Sequence, residues 1–539
     1  MSVILRTSRQ SDNVRDYHYW FAAGPADNAL DATLRLPDLE AKLEASFEAT
    51  RATWWQLGKQ LGGKPTGSIA RMPTCGTFGC DFGVMLAWAH ITEKLVSEPE
   101  SIVIICDDPW LFRHLATFPG VVAGTAPPIF KARLKRHVRG FLARAKTAVM
   151  QTLNAFRLRG QRKSALKQSP YILVYGHPES TPADHDAYFG NLLKEFKDLA
   201  RVLHTDCPAA LARTLATDQR TVSLHAFGHP LYALLKLPFA MWRPQSRDLA
   251  GPFGWLIERA ALIENSGGGP AMNIWQQHCQ TRFMAQVKPI SITWPWENHA
   301  WERALCRVAH QQKIKTVGYQ HTVVGPHQFN YATASNPDGL LSIPDIVATN
   351  GPAYADELRA WGVPDNRLMI AGSLRIPKFE PGLASENGPI FVPLSAKTGA
   401  AKAQLAVARQ LRAQGIRVLI RPHPMYPLDT EALEHLELAD GALSKQRHLS
   451  GVLYTTGASG LEAVLMGIPA YRLMQIDDIS IDVLPAGLQA SPVNTTNAVE
   501  RITSAWQPVN PVKWESVLSA PKISVWKSLF FDVIDVRPQ

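Results

Sequence analysis

Two short segments gather the residue types that hold a phosphate. Ile416-Arg-Val-Leu-Ile-Arg421-Pro-His423-Pro424 ends an apolar run in a guanidinium and an imidazole. Val452-Leu-Tyr-Thr455-Thr456-Gly457-Ala-Ser459-Gly460-Leu-Glu462 ends another in hydroxyls and glycines that open a helix. A guanidinium offers phosphate oxygens a fork of donors, and a nearby imidazole adds one more. Free N–H groups at a helix start attract anions, and small residues let them come close. Arg421, His423 and Pro424 on one strand end, and Thr456, Ser459 and Gly460 on the other, are therefore donor-binding candidates. Plain N-capping is the competing reading for the hydroxyls. His-Pro also occurs at His177 and His229, so the dipeptide alone decides nothing. Glu462 is placed to accept hydrogen bonds from a ribose or base, or to be a first-turn acid favoured by the helix dipole.

Three more strand ends carry titratable groups. Thr293-Trp-Pro-Trp296-Glu297-Asn-His-Ala-Trp301-Glu302-Arg303 puts Glu297 at a strand's carboxyl end. A carboxylate among tryptophans is expected to have a raised pKa and to serve as a general base; a helix-capping acid is the alternative. Glu302 is expected to pair with an arginine. His321, after Gly318-Tyr-Gln320, would face the same cleft if the two strands are neighbours; otherwise it is a buried, satisfied histidine. Arg375, after Ala371-Gly-Ser373-Leu, is expected to point into an interdomain cleft and meet an anionic donor. Asp107-Asp108 precedes Pro109, where a cap or turn is favoured over a sugar or cation site. There is no Walker-type loop, no Gly-x-Gly-x-x-Gly turn and no zinc spacing.

The elements that must position these groups alternate. Strands are expected at 101–106, 171–175, 201–205, 221–225, 289–294, 315–320, 345–349, 368–371 and 390–394. Helices are expected at 38–61, 184–200, 253–265, 271–286, 298–312, 352–361 and 399–414. Residues 228–254, rich in proline, read as a loop. Such alternation implies a parallel sheet covered on both faces. Residues 376–389 are linker-like. The last 30 residues, with Trp514, Trp526, Phe530 and Phe531, form amphipathic helices.

At 539 residues the chain is too long for one core. Its N-terminus is too polar for a signal peptide, no run of about 18 apolar residues exists, and the six cysteines are scattered; free thiols in a reducing cytoplasm are expected. The net charge of +10 is local: twelve Lys or Arg and no acid lie between Lys131 and Lys167, while the remainder carries 44 basic and 46 acidic residues. Over 129–158, Phe130, Leu134, Val138, Phe141, Leu142, Ala145, Val149, Leu153 and Phe156 recur at helical spacing with cations between them. An anionic membrane surface is the expected partner, against a helix packed on its own domain with a solvated basic face. Nucleic acid is not expected, because every phenylalanine there sits on the apolar stripe.

Glu297-Asn-His-Ala-Trp301-Glu302-Arg-Ala-Leu, Tyr319-Gln-His321, Pro344-Asp345-Ile-Val and Gly372-Ser-Leu-Arg375, in that order, resemble the bacterial surface carbohydrate biosynthesis proteins. Arg421-Pro-His423-Pro424 and Ser459-Gly-Leu-Glu462-Ala also resemble a wider set of capsule enzymes: polysialyltransferases, Kdo transferases and CDP-glycerol glycerophosphotransferases. The likeness spans about residues 289–470. In that set a His-Pro motif and a later Ser/Thr motif hold the donor's cytidine phosphate; here the second motif is Thr-Thr-Gly-Ala-Ser instead of a Ser-Ser pair.

The resemblance implies an α/β, GT-B-like fold: two Rossmann-like domains facing across a cleft, with a basic amphipathic helical insertion. Residues 1–375 would form the acceptor domain, with the insertion at 129–167. Residues 376–389 would link it to a donor domain at 390–510, and 511–539 would pack back on the first. It implies a glycosyltransferase using no cofactor and no tightly bound metal, with a CMP-linked nonulosonic acid or Kdo as donor and a glycan or glycoconjugate as acceptor. Glu297 and His321 would be catalytic. It would be cytoplasmic, or peripheral at the inner membrane face. A CDP-polyol phosphotransferase and a non-catalytic nucleotide-sugar-binding scaffold are the alternatives.

Overall fold

Three all-parallel sheets are laid along the chain in a computed structural model that describes residues 3–10, 17–24, 30–379, 384–423, 430–504, 506 and 509–532. The first contains β1 (Val3–Arg6), β2 (Tyr19–Ala22), β3 (Ile102–Ile105) and β4 (Val121–Ala123) in the order β2-β3-β1-β4. The second contains β5 (Pro170–Val174), β6 (Ala200–Leu203), β7 (Thr221–Ser223), β8 (Ser291–Pro295), β9 (Lys315–Tyr319), β10 (Ile346–Thr349) and β11 (Leu368–Ile370). Its order is β11-β10-β9-β8-β5-β6-β7. The third contains β12 (Ile390–Pro393), β13 (Val418–Arg421), β14 (Glu437–Leu438), β15 (Gly451–Tyr454), β16 (Ala470–Leu473) and β17 (Ser491–Val493), ordered β14-β13-β12-β15-β16-β17.

The last two orders carry the fold assignment. In each, the first strand lies at the middle, the next two run outward one way, and the rest run outward the other way. That is the doubly wound Rossmann arrangement, whose ligand crevice opens where the winding reverses. The reversal falls between β5 and β8 in the second sheet and between β12 and β15 in the third. The structure is thus α/β with two Rossmann-like units. Their carboxyl edges meet: Arg375, just past β11, acts electrostatically on Glu462, just past β15. Arg472 of β16 binds Glu44 with both terminal nitrogens, at 2.8 and 2.7 Å, which ties the third sheet to helix Leu39–Ala49.

The strands are buried on both sides, and their residues divide accordingly. Tyr171 and Leu173 of β5 face one core, while Ile172 and Val174 face another. Such runs read as continuous apolar stretches, which is why they were legible. The final helix, Ile523–Phe531, crosses back to the second sheet. Trp526, Leu529 and Phe530 enter that core, and Ser291 Oγ donates to the Phe530 carbonyl at 2.7 Å.

Several expected elements are corrected. Only Leu192–Glu195 is helical within 184–200. The Asp186 carboxylate accepts from the Tyr188 and Phe189 amides, and Gly190 has φ +55°, so a side-chain turn displaces the helix. Residues 228–254 are not one loop: Pro230–Lys236 and Ser246–Leu249 are helical, the first opened by a proline that needs no N–H there. The helix expected over 38–61 splits into Leu39–Ala49 and Arg51–Gly62, with the Thr50 hydroxyl donating back to the Ser46 and Phe47 carbonyls at the break.

Candidate active site

At the second sheet's reversal point, β8 ends in a tight loop held from below. Glu302, in the first turn of helix Ala300–Gln311, is buried. Its Oε2 accepts the Trp294 indole N–H at 2.9 Å and the amides of Glu297 and Asn298 at 2.9 and 3.0 Å. Asn298 sits at φ +57°, and its side-chain amide donates to the Asn330 carbonyl and Asn336 Oδ1. Among the described residues Glu302 therefore pairs with no arginine, contrary to expectation; it is the clamp that shapes the turn. Burial pushes its pKa up to about 7 against the pull of His299 and of the donors it accepts.

The clamp presents Glu297 to two imidazoles. Its Oε2 lies 2.8 Å from His299 Nε2, and its Oε1 lies 3.8 Å from His321 Nε2. Burial alone would raise the Glu297 pKa, but the His299 hydrogen bond and charge, then His321 and Arg375, overcome it and hold it down to about 2. The raised pKa expected from the tryptophans is thus overturned: two histidines and an arginine outweigh the apolar rings. Burial lowers the His299 pKa, but Glu297 reverses this and raises it overall. His321 is pushed down to about 4, by burial first and against the pull of Glu297, with Arg375 adding to the fall. At neutral pH the cluster holds an ionised carboxylate and a neutral His321.

Arg375 joins this cluster from the end of the same sheet. Its guanidinium lies over the Tyr188 ring at 5.4 Å, and Tyr188 meets His321 edge to face at 5.4 Å. Tyr175, directly after β5, receives the Trp301 indole N–H on its hydroxyl at 3.2 Å. Sequence reasoning missed Tyr175, Tyr188 and the part played by His299. His299 stood inside the quoted segment two residues from Glu297, and Tyr175 closes an apolar strand; no local signal marked Tyr188, which arrives from the turn once expected to be helix.

The third sheet supplies the other wall. Arg421 ends β13 beside Pro393 of β12, and its carbonyl accepts the Leu394 amide at 2.9 Å. His423, two residues on, has its pKa lowered by burial and then by Arg421. Pro424 lies outside the described residues. Past β15, the helix Ala458–Met466 begins at Gly457, φ +123°, so neither threonine hydroxyl caps its first turn and the capping alternative is set aside. Thr456 and Ser459 are half-buried at that helix start. Thr455 is buried, and among the described residues its hydroxyl has no hydrogen-bond partner. Gly460 is set by packing: a Cβ there would stand 2.3 Å from the Tyr454 ring. Glu462 has its pKa raised by burial, against Arg421 and Arg375. Arg421, His423, Glu462 and Arg375 thus share one electrostatic neighbourhood. Lys397, past β12 at the reversal point, was not singled out in the sequence; it donates to Asp478 at 2.6 Å.

The Asp107-Asp108 pair takes the structural role. Asp108 accepts the amides of Trp110 and Leu111 at 3.0 Å and the Arg259 Nε–H at 2.7 Å.

No protein-family model and no curated protein sequence matches the chain. Among solved structures it is similar to a UDP-GlcNAc 2-epimerase from Neisseria meningitidis bound to UDP-GlcNAc, at 12% identity and TM-score 0.36, over 67% of this chain and 99% of that one. It is also similar to the calicheamicin glycosyltransferase CalG4, at 12% identity and TM-score 0.37, over 63% and 91%. A third is UGT89C1 of Arabidopsis thaliana, at 13% identity and TM-score 0.34, over 68% and 92%. The assignment of two Rossmann-like units rests on the strand orders of the chain itself.

Proposed function

We propose that the protein is a nucleotide-sugar-dependent glycosyltransferase of bacterial surface polysaccharide or glycoconjugate assembly. A CMP-linked nonulosonic acid or Kdo is the first-choice donor and a glycan or glycoconjugate the acceptor. One observation carries the reading: two Rossmann-type carboxyl edges meet, and Glu462 on one lies in the field of Arg375 on the other. A nucleotide donor bound beyond β13 and β15 would then expose its sugar to the Glu297 cluster.

In this reading Arg421, His423, the Thr456–Ser459 turn and Arg375 bind the donor phosphate, and Glu462 accepts from the ribose or base. Cationic side chains and a helix start then supply the charge that a metal would otherwise provide. The acceptor hydroxyl oxygen attacks the anomeric carbon. The bond from that carbon to the phosphate oxygen breaks, and its electron pair leaves with CMP. Because Glu297 is held near pKa 2, the proton goes to neutral His321, and the Glu297 carboxylate stabilises the imidazolium that forms. Inversion at the anomeric carbon follows from a single displacement. A peripheral seat on the anionic inner membrane face belongs to the same reading.

The test is turnover of a panel of nucleotide sugars, with crystals soaked in CMP and in CDP. Slow CMP release from a CMP-sugar, lost in His423→Ala and Glu297→Ala variants, supports the reading. Turnover of a CDP-polyol would make the protein a polyol-phosphate transferase. Binding of a nucleotide sugar with no turnover would make it a scaffold.

A further inference from the structure

The long helix Ile129–Leu158 is mounted with its large apolar side chains outward. Apart from Leu158 at its end, the face it buries is small or polar: Gly140, Arg144, Ala148, Gln151, Thr152 and Ala155. Gly140 permits the contact, since a Cβ there would stand 2.0 Å from the Asn265 carbonyl oxygen. Flanking that face, the helix displays Phe130 at 73% exposure and Leu142 at 62%, with Leu134, Val138, Phe141, Val149, Leu153 and Phe156 also exposed. At 1.5 Å per residue this stripe runs for about 39 Å. A second element widens it. Helix Pro230–Lys236 and the turn after it expose Leu231, Leu234, Leu235 and Phe239. They are fixed beside the long helix, where the Thr152 hydroxyl donates to the Pro230 carbonyl at 3.3 Å and Arg144 Nε to the Pro238 carbonyl at 3.1 Å. An exposed apolar surface of this extent marks a contact with another phase or molecule.

The charge around it selects the partner. Lys131, Lys135, Arg139, Lys146 and Arg157 are exposed on the same helix, and no acid occurs from 131 to 167. A second copy of the chain would bring cationic rows against each other. Among the described residues no helix is long and apolar enough to cross a membrane. We propose that these two elements form one plate that lies flat on an anionic bilayer, with Phe and Leu side chains at the acyl boundary and Lys and Arg at the lipid phosphates. The plate is argued from its own residues. Its use, bringing the cleft to a membrane-anchored acceptor, rests on the transferase reading.

The test is sedimentation of the full chain with phosphatidylcholine vesicles, with and without phosphatidylglycerol. The wild type should sediment with the anionic vesicles only. Phe141→Glu/Leu142→Glu and, separately, Leu234→Glu/Leu235→Glu should each lower binding by about ten-fold or more. Lys131→Glu/Lys135→Glu should lower it by roughly five-fold per residue, as should high salt in kind. All four side chains of the apolar pairs are exposed, so thermal melts should not move; Phe141→Ser/Leu142→Ser serves if an acid unsettles the helix. CMP release from soluble donor should be unchanged in every variant. Vesicle binding equal in wild type and variants, or absent in wild type, overturns the proposal. So does light scattering that finds a wild-type dimer which Phe141→Glu/Leu142→Glu splits, with no vesicle binding. Vesicle binding without turnover of any donor keeps the plate and removes the transferase; turnover without vesicle binding does the reverse.

Discussion

The two carboxyl edges that meet in this molecule are built from different chemistry. The edge of the second sheet is crowded with groups that set each other's protonation: Glu297 is held low, His299 is raised and His321 is lowered, all within one cluster. The edge of the third sheet instead combines a strand-end guanidinium with a helix start left open by a glycine. A coupled proton cluster suits bond making, where charge moves. A fixed cationic wall suits a ligand whose negative charge is present before and after the reaction. The contrast assigns acceptor activation to one edge and phosphate binding to the other. It also makes the assignment testable, because variants on the two edges should fail in different ways.

The largest effect is expected at His321. His321→Ala should lower kcat by about 10²- to 10⁴-fold, with nucleotide affinity unchanged by calorimetry. An equal loss of donor binding would erase the distinction between the edges. Next comes Arg421→Ala, which removes a charge-assisted contact to phosphate and should raise the donor KM by roughly 10- to 100-fold, with little change in kcat. A fall in kcat alone would move Arg421 to the reacting centre.

Smaller still, Gly460→Ala should destabilise the third sheet by about 1–3 kcal/mol in urea unfolding, because the new methyl meets the Tyr454 ring. The nucleotide site should weaken only as far as the fold does. The pH dependence sharpens the first edge. His321 is neutral above about pH 4, so activity should be lost as pH falls through about 4, and not near the ordinary histidine value of 6.5. A pH-rate profile with an acid limb near 6.5 would point to a different base.

Glu302 adds a stability signature to the same edge. Its folded pKa is raised to about 7 from an ordinary 4.5, so its stabilising contribution is complete below 4.5 and lost as pH rises through 7. Glu302→Gln should flatten that part of the stability curve, measured by urea unfolding at pH 5 and pH 8. An unchanged slope would place the titration elsewhere.

Much of the scaffold was legible because parallel strands buried on both faces announce themselves locally. Pro170-Tyr-Ile-Leu-Val and Ile390-Phe-Val are apolar without interruption, and every residue of both runs is buried. The strands β1, β2, β4, β14, β16 and β17 were not marked, being two to four residues long with little local signal. The helix expected over 184–200 failed for a local reason of another kind: the Asp186 carboxylate captures two backbone amides that a helix would need. Within the site, Glu297 and Arg375 were found because each follows an apolar strand. Tyr188 was not, because its place under Arg375 depends on a turn.

From the sequence alone come the alternation of strand and helix, the strand ends that carry Glu297, His321, Arg375, Arg421 and His423, and the confinement of the positive charge to one segment. These are properties of neighbours along the chain, and chain order preserves them. Only the tertiary structure decides the strand order that puts β8 beside β5, the descent of the Glu297 pKa among tryptophans, and the outward mounting of the Phe130–Phe156 stripe. Each of these depends on groups far apart in sequence. A pKa answers to whatever charge packs nearby, and a helix buries whichever face fits closest, which here is the small one built around Gly140, Ala148 and Ala155.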